Sequence, residues 1–177
     1  MADYRRNFIP GGSFFFTVNL ADRRSRLLTD QIDQLRNAFR YVRVRHSFTI
    51  DAIVILPDHL HTIWTLPPSD AEFATRWRLI KTMFSRSLDS EERRSASRRA
   101  KGERGIWQRR YWEHTIRDEN DFERHCHYIH YNPVKHSHVA AASQWPYSSF
   151  QRFVKLGMYP WDWAEGQQIE GDKFGER

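Results

Sequence analysis

The order of elements legible in this 177-residue chain predicts an α+β fold, the ferredoxin-like split βαβ: a four-stranded antiparallel sheet with helices on one face and an arm at each terminus. Three observations carry the prediction. Four short segments rich in aromatic and β-branched residues are bounded by turn residues. Two longer segments between them repeat apolar residues at helical spacing. Their order is strand, helix, strand, strand, helix, strand.

Phe14 to Leu20 (FFFTVNL) lies between Gly11-Gly12 and the polar run Ala21-Asp22-Arg23-Arg24 and reads as the first strand. Thr29 or Asp30 is positioned to cap a helix whose Ile32, Leu35, Phe39 and Val42 form one apolar stripe. Phe48 to Leu56 is a second strand, Pro57-Asp58 a tight connection, and His59 to Leu66 a third strand returning as a hairpin. Ser69 or Asp70 is expected to cap a second helix bearing Phe73, Trp77, Ile80, Phe84 and Leu88. From Asp89 to Gly105 the composition turns to Ser, Arg, Glu and Lys without periodicity, an exposed insertion at about 89–105. Ile106 to Ile116 is read as the fourth strand. Asp118 then opens a third helix with Phe122, Cys126 and Ile129 on its core face, expected to end at Asn132 because Pro133 disfavours helical geometry in the residue before it. Trp145 to Phe153 is anchored by aromatics. One domain over 1–163 is expected, with a polar tail at 164–177.

The net charge of +6 is unevenly spread. Residues 93–110 hold eight basic side chains and one acidic, so this segment alone carries +7. A basic excess of that kind suggests a polyanionic partner, and an aromatic content of 15% supplies flat surfaces for unstacked bases; a solvated loop is the plainer reading of the same segment. A single cysteine, Cys126, excludes an intramolecular disulfide. No apolar run approaches the ~20 residues of a bilayer span, so no membrane segment is expected and a cytoplasmic, nucleoid-associated protein is the default.

Two clusters could carry chemistry. His59 and His61 flank one leucine at the start of a strand, and strand alternation projects both imidazoles from one face. Such a pair can grip a divalent cation, although two half-buried structural histidines fit the same pattern. On the third helix, Tyr128 and Asn132 lie one turn apart, roughly 40° around the axis, while Tyr131 lies about 100° from Asn132. A phenol, with pKa ~10, is a poor nucleophile at neutral pH, and a cation that polarises a scissile phosphate makes its attack feasible. The two clusters together suggest strand transfer on DNA through a phosphotyrosine, which conserves the bond energy.

Several long motifs occur in register over roughly Tyr4 to Trp163: YRRNFIPGGSFFFTVNL, LPDHLHTIWTLP, RWRLIKTMFS, IWQRRYWEHTIRDENDF, YIHYNPVKHS and WPYSSF. In these the chain resembles the REP-associated tyrosine transposases, relatives of the single-tyrosine HUH transposases. The resemblance implies a metal-dependent single-stranded DNA endonuclease and strand transferase acting at palindromic DNA hairpins. It implies His59, His61 and Asn132 as ligands of Mg²⁺ or Mn²⁺, and Tyr128 as the nucleophile. Two histidines and an amide oxygen suit a hard or borderline octahedral ion better than a closed zinc site. Arg5 and Arg6 fall in an arm that resembles the family's DNA-reading arm, and Arg109, Arg110 and Lys135 are candidates for phosphate contacts. Glu113 and His114 lie on a strand expected to neighbour the histidine pair and are read as structural. The insertion is longer than the family pattern, and Ser137-His138 stands where Gly and a hydrophobic residue are commoner. A catalytically idle hairpin-binding regulator, and a phosphodiesterase that activates water, are the rival readings. The oligomeric state is left open, with a monomer as the default.

Overall fold

A computed structural model of the chain describes residues 7–89, 100 and 104–166. Arg5, Arg6, most of the basic insertion and the end of the tail lie outside the described residues. Four strands, β1 (Ser13–Asn19), β2 (Thr49–Ile55), β3 (His59–Thr65) and β4 (Trp112–Thr115), form one antiparallel sheet in the order β2-β3-β1-β4. That is the order a split βαβ requires, with β3 inserted between β1 and β2. The helices are α1 (Leu27–Asp30), α2 (Ile32–Arg45), α3 (Phe73–Arg86), α4 (Glu119–Lys135) and α5 (Phe150–Lys155), with a 3₁₀ turn at Ala142–Gln144.

The α+β class and the strand order are as predicted. One feature of the layering differs. Alternation along β1 and β3 sends Phe14, Phe16, Val18, Leu60 and Trp64 to one face, where they pack with Phe39 of α2 and Trp77 of α3. The opposite face is not open: Phe15, Ala52, Val54 and Ile63 pack there against Cys126, Tyr128 and Ile129 of α4 and Phe150 and Phe153 of α5. Both faces of the central strands are therefore buried, and FFF at 14–16 serves both.

Smaller differences have local causes. Thr29 and Asp30 belong to α1, and α2 begins after Gln31 with no side-chain cap. Neither Ser69 nor Asp70 caps α3, which starts at Phe73 after Glu72. The Asp70 carboxylate instead holds the buried Arg76, with Nη2 to Oδ2 at 2.6 Å, and accepts from the Glu72 amide at 2.7 Å. The fourth strand is only Trp112–Thr115; upstream, Trp107 makes a single bridge to Leu20. Asp118 does cap α4, accepting from the Asp121 amide at 2.8 Å. That helix does not stop at Asn132 but passes through Pro133 to Lys135. A proline disfavours helical geometry in its predecessor without forbidding it. Here the His136 amide bonds the Asn132 carbonyl at 3.0 Å and the His138 amide bonds the Pro133 carbonyl at 2.9 Å, so the last turn is held from its far side.

Before β1, Gly11 has φ +69° and a Cβ there would stand 3.0 Å from the Pro68 backbone, so glycine is required by both conformation and space. No helix among the described residues is long and apolar enough to cross a membrane.

Candidate active site

The site is built on the sheet face that carries α4. Register places His59 opposite Asn19, and His61 between Thr17 of β1 and Val54 of β2, so His59 and His61 point to one face as alternation requires. Both rings are buried, with centroids 5.0 Å apart. Each is oriented by its Nδ1: His59 bonds Asp58 Oδ1 at 2.8 Å, and His61 bonds Thr17 Oγ1 at 2.8 Å. The Asp58 carboxylate requires Nδ1 of His59 to donate and the Thr17 hydroxyl can accept from Nδ1 of His61; a ring donating from Nδ1 carries its lone pair on Nε2, the tautomer a cation needs. Burial lowers the pKa of His59 despite the Asp58 carboxylate beside it, which keeps the ring neutral. Asp58 is shared: Arg23 Nε lies 3.0 Å from its other oxygen. Burial pushes the Asp58 carboxyl upward, but His59 and Arg23 outweigh it and the net shift is below the ordinary range.

Over this face α4 lays Tyr128. The ring is buried, 5.1 Å from His61 and edge-on to it, and 6.0 Å from Phe15. Lys135, two turns on, reaches back: its Nζ is 3.4 Å from the Tyr128 hydroxyl and 4.6 Å from the ring centre. The lysine expected among phosphate contacts is thus at the phenol. Asn132 lies between them in the chain, one turn beyond Tyr128, with its amide fully buried. Tyr131 is only half-buried. The structure therefore brings together His59, His61, Tyr128 and Lys135, with Asn132 on the same helix.

Arg109 and Arg110 are exposed, on the segment that crosses the end of β1, where the Gln108 amide bonds the Asn19 carbonyl at 3.0 Å. Arg109 also lines a groove of about 840 Å³ between α3 and residues 104–111, together with Arg78, Lys81, Arg86 and Arg104. Glu113 is buried on the opposite face of the sheet, since it pairs with Phe16. His114 shares the site face but pairs with Phe15 and so lies across β1 from the histidine pair.

His114 belongs to a network that sequence reasoning missed. Its Nε2 bonds Asp121 Oδ2 at 2.8 Å, His125 Nδ1 bonds the Asp121 carbonyl at 2.7 Å, and the donor atoms of the three side chains lie within 4.8 Å of one another. Arg117 and Arg124 also reach the Asp121 carboxylate, at 3.4 and 3.3 Å. Burial opposes its ionisation, but bonds from His114 and the Arg117 amide hold it well below the usual carboxylate range. With two guanidinium groups already present, this is an ion-pair hub, and a cation would have to displace them. The hub lies at the start of α4, and its His125 leans on Phe15 at 4.7 Å, the ring that also meets Tyr128. Thr17 and Asp58 were also missed. Asp58 was findable from its adjacency to His59, and Thr17 only from the strand register.

Residues 15–132, which hold this sheet, the histidine pair and the helix that carries Tyr128, match the family model described as "Transposase IS200 like", and that match places the chain among the transposases. Two full-length relatives sharpen the match. One from Escherichia coli K12 is 48% identical over 164 residues, covering 93% of this chain and 92% of its own, and one from Haemophilus influenzae is 47% identical over 175 residues, covering 97% and 99%. The chain belongs to the family those relatives are named for, the REP-associated tyrosine transposases. A solved structure of such a transposase bound to a REP hairpin superposes with a TM-score of 0.85 at 46% identity, covering 100% of this chain and 98% of that one.

Proposed function

We propose that this transposase is a metal-dependent single-stranded DNA endonuclease and strand transferase that acts at REP hairpins through a covalent intermediate on Tyr128. The observation that carries the reading is the meeting of Tyr128, His61 and Lys135 on one buried sheet face, with the phenol 3.4 Å from an ammonium group. Hairpin DNA is proposed as the partner because the 46%-identical relative is described as bound to a REP hairpin.

The donor set fits a divalent cation. His59 and His61 would ligate through Nε2, with their Nδ1 atoms engaged by Asp58 and Thr17, and Asn132 offers an amide oxygen. Mg²⁺ or Mn²⁺ held there would polarise the scissile phosphate and offset its charge. The chain's own residues do the rest. The Tyr128 oxygen attacks phosphorus, one P–O bond forms, the bond to the departing strand breaks, and that strand leaves with a free hydroxyl after taking up a proton. Lys135 stabilises negative charge on the phenol oxygen as its proton leaves. The phosphotyrosine ester keeps the bond energy, so a second strand's hydroxyl can reverse the step and rejoin DNA without ATP. Arg109 and Arg110, together with Arg5 and Arg6, are proposed to hold phosphates outside the reacting group.

The test is incubation with a single-stranded palindromic oligonucleotide and either Mn²⁺ or Mg²⁺, followed by a denaturing gel and mass spectrometry. Cleavage with a protein–DNA adduct on Tyr128, lost in Tyr128→Phe and kept in Tyr131→Phe, supports the proposal. Cleavage without an adduct would indicate water as the nucleophile. Hairpin binding with no cleavage in either metal would leave a regulator.

A further inference from the structure

We propose that His136 is an additional ligand of the cation placed at His59, His61 and Asn132, and that the nitrogen-rich set so completed favours Mn²⁺ over Mg²⁺. This rests on the metal site proposed above and goes beyond it in ligand set and ion preference.

The spacing comes first. Tyr128, Asn132 and His136 are separated by four residues each and so rise along one side of α4 and its last turn. Pro133 could have diverted the chain, but the His136 amide still bonds the Asn132 carbonyl at 3.0 Å, which fixes His136 one turn above Asn132. Immediately afterwards Ser137 adopts φ 57°, a left-handed position that turns the chain at the helix end. His136 is therefore the last residue the helix can present to the sheet.

The ring then meets the site. His136 and His59 have centroids 5.2 Å apart at 75°, closely matching the 5.0 Å and 85° between His59 and His61. Two imidazoles that share one ion have ring centres roughly 4.5–6.5 Å apart, because each ring nitrogen lies about 2 Å from the ion. His59 thus stands at ligand-sharing distance from a histidine on each side. His138 is different in its neighbours: its ring stacks on Trp145 at 5.3 Å and meets His136 at 6.2 Å, but makes no ring contact with His59 or His61. Its packing partner is an aromatic of the second core, which makes it the natural control.

The chemistry of the set follows. Three imidazole nitrogens and one amide oxygen contain no anionic ligand, whereas Mg²⁺ prefers oxygen donors and parts with its water reluctantly. Mn²⁺ accepts imidazole more readily and stands at the borderline.

The experiment measures binding of the cation itself to the full chain. Mn²⁺ and Mg²⁺ are titrated calorimetrically into wild type, His61→Ala, His136→Ala, His136→Gln and His138→Ala, with circular dichroism as the check on folding. Pulsed electron paramagnetic resonance counts the nitrogens bound to Mn²⁺. The proposal expects His136→Ala and His136→Gln to weaken Mn²⁺ by about tenfold or more and Mg²⁺ by much less, with the nitrogen count falling by one. His138→Ala should match wild type. Unchanged Mn²⁺ affinity and nitrogen count in both folded His136 variants overturns the inference while leaving the site. A wild type that binds neither ion, or a His61→Ala that binds like wild type, overturns the underlying metal site and the inference with it.

Discussion

The two faces of one sheet are built from the same strands and hold opposite kinds of core. On the α2 and α3 face, Phe16, Trp64, Trp77 and Phe73 pack ring on ring, with Trp64 and Trp77 stacked at 4.2 Å. On the α4 face, the same two strands present Thr17, His61 and Ile63, and the helix adds buried His125, His130 and Asn132. Apolar contact, which makes no directional demands, dominates the first face, where Arg76 held by Asp70 is among the few buried polar side chains. The second face needs each polar atom placed, as in the bonds from His61 to Thr17, His59 to Asp58 and His130 to Ser149. Both faces bury apolar clusters, but the candidate chemistry lies on the α4 side alone. A site resting on a sheet whose far side is a close-packed, largely aromatic core has a rigid floor.

The largest expected effect breaks the first face. Trp64 is fully buried against Trp77, Phe16, Phe39 and Phe48, so Trp64→Ala should cost about 3–5 kcal/mol in urea denaturation. His61, three residues earlier on the same strand, is a smaller ring that bonds Thr17, and His61→Ala should cost about 1–3 kcal/mol while abolishing strand cleavage. Equal stability losses would mean the two faces share the load.

The next effect sharpens the contrast through pH, since the buried histidines lie on the α4 side. Burial lowers the pKa of His130 to about 3, and burial also lowers that of His125. Between the ordinary histidine value near 6.5 and 3, the unfolded chain gains a proton at residue 130 that the folded chain refuses. Stability is therefore complete above about pH 6.5 and declines as pH falls, by up to ~1.4 kcal/mol per pH unit from this residue. His130→Gln, which can still bond Ser149, should flatten the decline between pH 6 and 4 in thermal denaturation. An acid limb as steep as that of wild type would show that His130 is not its source.

Much of this was legible in the residues. Alternation aligned His59 with His61, and helical spacing aligned Tyr128 with Asn132, because each pattern depends only on local geometry. The layering was not, because Phe14, Phe15 and Phe16 are all aromatic and a strand buried on both faces shows no alternation to say which side a helix covers. Thr17 was hidden because its bond to His61 spans 44 positions and exists only through the β1–β3 register. Asp70 looked like a cap from its place in the chain, yet its carboxylate is committed to Arg76. The end of α4 was misplaced because a proline's local preference is outweighed by the bonds beyond it.

The smallest effect tests how the chemical face is held at its edge. Asp118 caps α4 through the Asp121 amide, and Asp121 in turn ties His114 and His125 beneath Phe15 and Tyr128. Loss of a cap of this kind costs about 1 kcal/mol, so Asp118→Ala should lower stability by that amount and Asp118→Asn by only a few tenths. Asp118 lies at the solvent edge, more than two helical turns before Tyr128, so a purely local loss would leave cleavage untouched. If the Asp121 hub positions the start of α4, Asp118→Ala should also lower single-turnover cleavage about two- to threefold without changing hairpin affinity, while Asp118→Asn restores both. A full 1 kcal/mol stability loss with an unchanged cleavage rate would show that the site is held by the last turns of α4 alone, and that its first turn serves only the fold.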